Sequence, residues 1–170
     1  RAFEKEYKPS DNSIIPSVEF SMANEYSRQI GPNVKRGIQS KLVAGWRPGS
    51  CPHGYINTKT KNRGENTVEK DPERFDDVKE SWNMLLTGNL TPIEIWNWLN
   101  NERGFRTRKT AHHGGKPLAR SSIYRIFTNI FYAGRFTYGG EEYEGKHEAM
   151  ITLEEYDRAQ VILGKRGKPR

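Results

Sequence analysis

Residues 90–104 read LTPIEIWNWLNNERG and predict a short helix whose two ends are both marked. Thr91 is the expected N-cap, because Pro92 fills the first helical position and Glu94 stands three residues after the cap, as in a capping box. Gly104 is expected to follow the last turn. The apolar residues that should face inward are Ile95, Trp96 and Leu99.

Two further short helices are predicted, one on each side of this stretch. The earlier one is expected to use Asp71 as N-cap, with Pro72 at its first position, and to stop at Gly88. The later one is expected to use Ser121 or Ser122 as N-cap. Its predicted buried edge consists of Ile123, Ile126 and Phe127. Three short helices in this order are typical of a helix-turn-helix with an enlarged turn.

A longer helix is predicted near the start of the chain. An apolar residue recurs at every fourth position over residues 18–42, and at about 100° per residue such a row winds round the helix. The Gly31-Pro32 pair predicts a kink or a restart, because proline removes a helical hydrogen bond and clashes with the preceding turn. Gly45 is the expected C-terminal cap. The prolines and glycines of GWRPGSCPHGYI, residues 45–56, then predict an extended segment.

The β-structure is predicted to be small. Short strands are expected around Tyr55 and near Val68, and Gly139-Gly140 is typical of a two-residue hairpin turn. Thr152 is expected to cap a last helix. The predicted fold class is therefore mainly α (α+β), with a long N-terminal connector helix, a helix-turn-helix-like three-helix core, a small β-hairpin and a C-terminal helix. The expected parts are residues 1–44, 45–56 and 57–170.

Composition limits the class of protein. Only 34% of the 170 residues are hydrophobic, and no uninterrupted apolar run approaches the length of about 18 residues that crosses a membrane. A soluble, intracellular protein with no membrane partner is expected. Cys51 is the single cysteine, which excludes an internal disulfide or a multi-cysteine zinc site. Neither Cys51 with His53 nor the adjacent His112 and His113 has metal-ligand spacing, so no metal and no cofactor is expected.

Charge is distributed unevenly along the chain, whose net charge is +7. No acidic residue lies between Glu25 and Glu65 or between Glu102 and Glu141, and each of these segments contains eight lysines and arginines. The segment from Asp71 to Glu102 instead contains seven acidic and two basic residues. A solvated basic face would explain one such run, but two of them flanking an acidic segment favour a polyanionic partner.

Four blocks in this order resemble the large serine recombinases. They are ANEYSRQIGPNVKRGIQSKLVAGWRPGSCPHGYI (23–56), LTPIEIWNWLN with GFRTRK (90–109), SSIYRIFTNIFYAGRFTYG (121–139) and GKHEAMITLEEYDRAQVIL (145–163). The resemblance implies the central recombinase domain of such an enzyme, with the end of the catalytic-domain region and the long connector helix in residues 1–44. Pro32 departs from what such a continuous connector helix would contain.

The resemblance also implies a function. The serine-bearing catalytic domain and the zinc ribbon of the family have no counterpart in this sequence, so the chain is expected to bind double-stranded DNA and to hold no catalytic residue itself. The resemblance implies half-site recognition in site-specific recombination, in the cytoplasm of a bacterium and encoded by the bacterium or a phage. The full-length protein would act as a dimer or tetramer on DNA, while the fragment could be monomeric.

The third helix of the predicted core is the candidate for insertion into the major groove. Ser121, Ser122, Tyr124 and Arg125 lie on its polar side near its N-terminus, together with Arg120. Arg125 could read a guanine edge with two hydrogen bonds. Tyr124 could instead pack in the core.

The remaining candidates are basic residues outside this helix. Those expected on phosphates are Lys35, Arg36, Lys41, Arg106, Arg108, Lys109 and Lys116. Arg47, in the extended segment, could enter a narrow minor groove or could simply be solvated, whereas Tyr55 is expected to pack in the core. A rival hypothesis from another class is a non-catalytic protein-interaction or regulatory module whose basic surface only keeps it soluble.

Overall fold

The computed structural model describes residues 14–58, 66–110 and 113–166. Within these ranges the chain forms five α-helices and two antiparallel strand pairs. The elements are α1 Ile14–Val43, β1 Tyr55–Asn57, β2 Val68–Lys70, α2 Phe75–Leu86, α3 Pro92–Asn97, α4 Arg120–Phe127, β3 Arg135–Tyr138, β4 Glu141–Glu144 and α5 Leu153–Arg166. A π-helical turn, Trp98–Glu102, continues α3, and a 3₁₀ turn, Ile130–Ala133, precedes β3. The predicted mainly α fold class is confirmed.

The described residues fall into two compact units, one ending at Ser40 and the other beginning at Lys41. Most of α1 belongs to the first unit, where apolar side chains such as Phe20 and Tyr26 are exposed. Helix α1 runs without interruption through Pro32, so the predicted restart is wrong. A single proline removes one hydrogen bond, and the rest of the ladder in a helix of 30 residues continues on both sides. A bend at Pro32 stays a prediction, as do the domain boundaries expected from the sequence.

Helix α1 ends as the sequence predicts, at a glycine cap. Gly45 has a φ of 76°, its N–H donates to the Leu42 carbonyl at 3.0 Å, and the Trp46 N–H donates to the Lys41 carbonyl at 2.8 Å. These two bonds make a Schellman motif. The Gly45 carbonyl then accepts from the Lys146 N–H at 3.0 Å, so the end of α1 is attached to the chain that follows β4.

The core of the second unit is built from helix faces around Trp82. Its indole ring is fully buried and lies 5.3 Å from the Phe127 ring and 5.7 Å from the Tyr132 ring, measured between centroids. Helix α3 packs against both α2 and α4, which gives the predicted three-helix core, and α5 packs against α2 and the 3₁₀ turn. The predicted buried edge of α4 is confirmed, since Ile123, Ile126 and Phe127 are all buried.

The starts of the helices show which of the N-caps predicted from the sequence are present. The capping box at Thr91 is present, because its hydroxyl accepts from the Glu94 N–H and the Glu94 carboxylate accepts from the Thr91 N–H at 2.7 Å. Thr152 makes the equivalent pair of bonds with Glu155 at the start of α5. At α2 the prediction is wrong: Asp71 accepts from the Glu73 N–H and caps a separate turn, and the helix begins only at Phe75.

Both strand pairs lie where the sequence predicts them. β1 pairs with β2, with Tyr55 opposite Lys70, and β3 pairs with β4 across the glycine turn, with Tyr138 opposite Glu141. Tyr55 is buried, as expected, and its ring packs edge-on against those of Phe75 and Phe131. The first sheet is thereby attached to the helical core by an aromatic side chain.

Two tyrosine hydroxyls attach the extended segment to the core. The Tyr132 hydroxyl donates to the His53 carbonyl at 2.9 Å, and the Tyr55 hydroxyl donates to the Glu148 carbonyl at 2.6 Å. Burial raises the pKa of Tyr132 well above its usual range, so this hydroxyl remains a donor at any working pH. Residues 52–55 are therefore held in one place by groups that do not titrate.

We expect Tyr132→Phe to reduce the free energy of unfolding by about 1–3 kcal/mol, because it leaves the partly buried His53 carbonyl without its donor. Tyr156→Phe is the matched control: its hydroxyl donates to the Thr128 carbonyl at 3.1 Å at an exposed position, so we expect a loss below about 0.5 kcal/mol. Urea unfolding of both variants measures the difference. Equal losses would show that the Tyr132 bond does not stabilise the core.

Candidate nucleic-acid interface

Helix α4 exposes a continuous polar face. Arg120, Ser121, Tyr124 and Arg125 are exposed, and Ser122 is half-buried. With about 100° between successive residues, the four exposed positions fall on one side of the helix, opposite the buried edge. Tyr124 is 44% exposed, so the alternative that it packs in the core is wrong. The face combines two guanidinium groups, hydroxyls and one aromatic ring.

The start of α4 differs from the prediction. Its N-cap is Ala119, with no side-chain cap hydrogen bond, so neither Ser121 nor Ser122 is the cap. Both serines lie inside the first turn, where the Ser122 N–H donates to the Ala119 carbonyl at 2.8 Å. The physical reason is that the preceding residue, Leu118, is already fixed by side chains of the α3 region, so the helix starts directly after it.

The basic loop between α3 and α4 is more ordered than its composition predicts. The Thr107 N–H donates to the Lys116 carbonyl at 2.8 Å, and the Thr110 N–H donates to the His113 carbonyl at 2.7 Å. Gly114 has a φ of 96°, and a Cβ built on it would lie 1.9 Å from the Arg108 carbonyl oxygen. The two halves of the loop are thus paired closely, which fixes the backbone that carries Arg108.

The loop arginines take different roles. The Arg106 guanidinium donates to the Phe105 carbonyl at 2.7 Å, and its own carbonyl accepts from Arg74 at 2.8 Å. Arg108, Lys109 and Lys116 are exposed. Arg106 is also exposed, so it supports the backbone of the loop and, like the other three, carries charge at the surface.

The extended segment is also organised by its own hydrogen bonds. Arg47 is half-buried and donates to the Ser50 carbonyl, and the Asn57 side chain donates to the Gly49 carbonyl at 2.9 Å. The Cys51 thiol donates to the Tyr55 carbonyl at 3.0 Å. The Arg47 side chain is therefore not freely solvated, and its bond to the Ser50 carbonyl keeps it close to the backbone of the segment.

Two titratable groups of this segment are uncharged near neutral pH. Burial raises the pKa of the Cys51 thiol, an effect that the nearby Arg108 and Arg47 charges partly oppose. Burial, assisted by the Arg74 charge, lowers the pKa of His53 below its ordinary value. Positive charge beside the segment therefore comes from arginine and lysine. His53 adds none at neutral pH.

Two clefts bring the separate segments together. A cleft of about 450 Å³ lies between residues 50–57 and the loop residues 107–110, including Arg108 and Lys109. A second, of about 220 Å³, lies between Pro52-His53 and the α4 residues Ser122 and Arg125. Residues 52–53 therefore border both the basic loop and the polar side of α4.

Ion pairing divides the basic residues into two groups. Three arginines pair with carboxylates: Arg74 with Asp71 at 3.0 Å, Arg103 with Asp77 at 2.7 Å and Arg135 with Glu142 at 2.8 Å. The candidates Arg108, Lys109, Lys116, Arg120 and Arg125 form no ion pair with any residue in the described ranges. Arg74, Arg103 and Arg135 are thus neutralised, whereas the five candidates are not; among the described residues outside the candidate face, Arg28 and Arg158 are also exposed and without an ion pair.

Three candidates lie on α1. Lys35 and Arg36 are exposed in the first unit, while Lys41 is half-buried at the start of the second. Of the residues considered for a metal site, His112 lies outside the described residues. The described part of the chain contains no group of three or more His, Cys, Asp or Glu side chains that could hold a metal ion. Every described helix is too short or too polar to span a bilayer.

Sequence reasoning missed Trp96 and Asn100 as parts of this region. Both donate to the Leu118 carbonyl, at 2.6 and 3.0 Å, and so position the residue that precedes the N-cap of α4. The sequence predicts only that Trp96 faces inward, and no sequence pattern predicts a structural role for Asn100. No local signal exists for a bond between residues 18 positions apart.

A family model described as Recombinase matches residues 72–166, which is more than half of the chain. The chain belongs to the Recombinase family. A comparison with curated proteins finds no match. The match covers the helical core, the basic loop, the hairpin and α5, so every exposed candidate of the loop and of α4 lies within the recombinase domain.

Two solved structures share the fold. One is described as "Sequence Requirements of the Listeria innocua prophage attP site", with 17% identity and a TM-score of 0.58 over 78% of this chain and 52% of that chain. The other is described as "Crystal Structure of a LSR-DNA Complex", with 17% identity and a TM-score of 0.59 over 81% of this chain and 39% of that chain. This chain therefore spans about half of the first structure and less of the second. The resemblance to the central recombinase domain of large serine recombinases is confirmed.

We expect Gly114→Ala to loosen the basic loop of the recombinase domain, because its Cβ would collide with the Arg108 carbonyl and its φ is positive. The Thr107 amide, bonded across the loop, should exchange its hydrogen about tenfold faster or more. Gly115→Ala is the control: its φ is also positive, at 69°, but a Cβ there would meet only the Lys109 side chain at 3.9 Å. Equal exchange rates in the two variants, measured by NMR, would contradict the close pairing.

Proposed function

We propose that this recombinase domain is the sequence-specific DNA-binding domain of a site-specific serine recombinase and recognises half of an attachment site. The observation that carries the proposal is the shared border at Pro52-His53, where the cleft to the basic loop meets the cleft to α4. The extended segment, the basic loop and α4, which the sequence predicts to contact DNA, are neighbours there. A polyanion that touches one of them can therefore reach the others.

Charge supports a nucleic-acid partner over a protein partner. The uncompensated residues Arg108, Lys109, Lys116, Arg120 and Arg125 lie on adjacent segments, and each phosphate they neutralise releases condensed counterions. The one carboxylate of α2 with an ion pair among the described residues, Asp77, bonds Arg103 and none of these five cations, so their charge stays available to a polyanion.

The roles of the segments follow from their rigidity and shape. Helix α4 presents two serines, a tyrosine and two arginines on one helical face, which suits base edges in a major groove. The loop presents long, flexible cations, which suits phosphates. The extended segment, with Arg47 held close to its own backbone, would lie along the minor groove next to α4. Lys35, Arg36 and Lys41 would contact phosphates as α1 approaches the duplex.

The whole protein's activity belongs to the same proposal. Strand exchange would be performed by a serine nucleophile on a separate catalytic domain, with the protein acting as a dimer or tetramer on DNA. The two structures of similar fold support this assignment, since their descriptions name a prophage attP site and an LSR–DNA complex.

The first test is a salt titration of binding to random duplex DNA. We expect tight binding at low salt and a steep loss as salt rises, with a slope of about −0.9 per phosphate contacted. Fluorescence anisotropy with a labelled duplex measures it. Failure to bind at low salt would reject the DNA-binding function and favour the protein-interaction hypothesis.

The second test separates residues that recognise bases from residues that bind phosphates. Arg125→Ala is expected to cost about 1–3 kcal/mol on a preferred sequence and to relax the preference there, because it removes a bidentate base contact. Lys109→Ala is expected to weaken binding to all duplexes alike and to reduce the salt slope by about 1. Arg135→Ala is the matched control, since Arg135 is also exposed but is paired with Glu142 on the hairpin.

Competition binding against selected and unselected duplexes distinguishes these outcomes. Sequence-blind losses of equal size from Arg125→Ala and Lys109→Ala would reject Arg125 as a reader of bases. A loss from Arg135→Ala as large as either would show that the measured effect is general electrostatics, and that the candidate face has no special role.

A further inference from the structure

Asn100 makes an unusual pair of contacts for a buried amide. Its Oδ1 accepts from the Leu118 N–H at 2.8 Å, and its Nδ2 donates to the Leu118 carbonyl at 3.0 Å. Asn100 is only 7% exposed and Leu118 is 1% exposed. One side chain thus satisfies both backbone groups of a buried residue, in the same way as a neighbouring strand would.

Trp96 strengthens the same attachment. Its indole N–H donates to the Leu118 carbonyl at 2.6 Å, so this oxygen accepts two hydrogen bonds. Trp96 lies in α3, and Asn100 lies in the π-helical turn that continues it. Such turns are rare in proteins and occur often at functional sites.

This attachment lies directly before the start of helix α4. Leu118 immediately precedes the N-cap, Ala119, which has no side-chain cap. The helix has eight residues, too few to be stable by itself, so its position is set by packing and by the chain that enters it. Its buried edge sets which side faces the core, and Leu118 sets where along the core the first turn begins.

We propose that Asn100 is a positioning residue for sequence readout: by holding Leu118, it sets the placement of α4 on which base selectivity depends. The inference rests on the proposed function. Hydrogen bonds to base edges fail with small errors in distance and angle, whereas long lysine and arginine side chains adjust to phosphates. Loss of the Asn100 contacts should therefore reduce selectivity more than it reduces non-specific affinity.

The test uses the 170-residue chain and a library of short duplexes with a randomised centre. The wild-type protein first enriches its preferred duplexes from this library. Selectivity is then the affinity for an enriched duplex divided by the affinity for the unselected library, measured for each variant at one salt concentration. Urea unfolding of each variant reports whether it is folded.

Asn100→Ala is expected to lower this ratio about tenfold while the affinity for the unselected library stays within about twofold, since one bidentate base contact is worth that much. Trp96→Phe, which removes one of two donors to the Leu118 carbonyl, should give a smaller loss in the same direction. Ser81→Ala is the matched control: Ser81 is fully buried, but its hydroxyl bonds the Asp77 carbonyl of the same helix. Its ratio should not change.

A folded Asn100→Ala protein with unchanged selectivity would overturn the inference, as would a Ser81→Ala protein of similar stability with an equal loss. If Asn100→Ala does not fold, Trp96→Phe decides in the same way. A wild-type protein that binds duplexes but enriches none would reject the proposed sequence-specific function itself. That outcome is visible before any variant is made.

Discussion

The hydrogen bond from Tyr132 to the His53 carbonyl fixes the extended segment on the helical core, and the arrangement of the candidate interface depends on it. Tyr132 is fully buried in the Trp82 cluster, so the segment is attached to the closely packed core of the domain. Because residues 52–53 are held there, the clefts to the basic loop and to α4 share a border. The Tyr55 hydroxyl and ring hold the same segment from its other end. Together these contacts keep the three basic segments next to one another.

The acidic residues of the chain have a supporting role. Asp71 and Asp77 pair with Arg74 and Arg103, and Arg74 in turn donates to the carbonyl of Arg106 in the basic loop. These carboxylates therefore organise arginines beneath or beside the interface. Three of the seven acidic residues in the 71–102 segment, Asp71, Glu73 and Asp77, supply these pairs, while the segment that follows supplies the uncompensated Arg108, Lys109 and Lys116.

The sequence predicted those features that depend on neighbouring residues. The capping box at Thr91, the glycine cap at Gly45 and the hairpin turn at Gly139-Gly140 need only a few adjacent positions, and all three are present. The start of α4 could not be predicted in this way, because it is set by Asn100 from 18 residues away. The serines there carry a strong local signal for a cap, and a long-range contact overrides it.

The same limit applies to the roles of basic residues, and here the chemistry of arginine matters. Nothing in the sequence distinguishes the role of Arg47 or Arg106 from that of Arg108. In the structure, however, both donate guanidinium N–H groups to carbonyls of their own segments. A guanidinium has five donors, so bonding one carbonyl leaves others available for a phosphate, whereas a lysine has a single charged nitrogen. Arginine at these two positions can therefore stiffen an irregular backbone and still present positive charge at the surface. An extended segment and a loop without regular secondary structure require this combination if they are to meet a duplex without a large loss of conformational entropy.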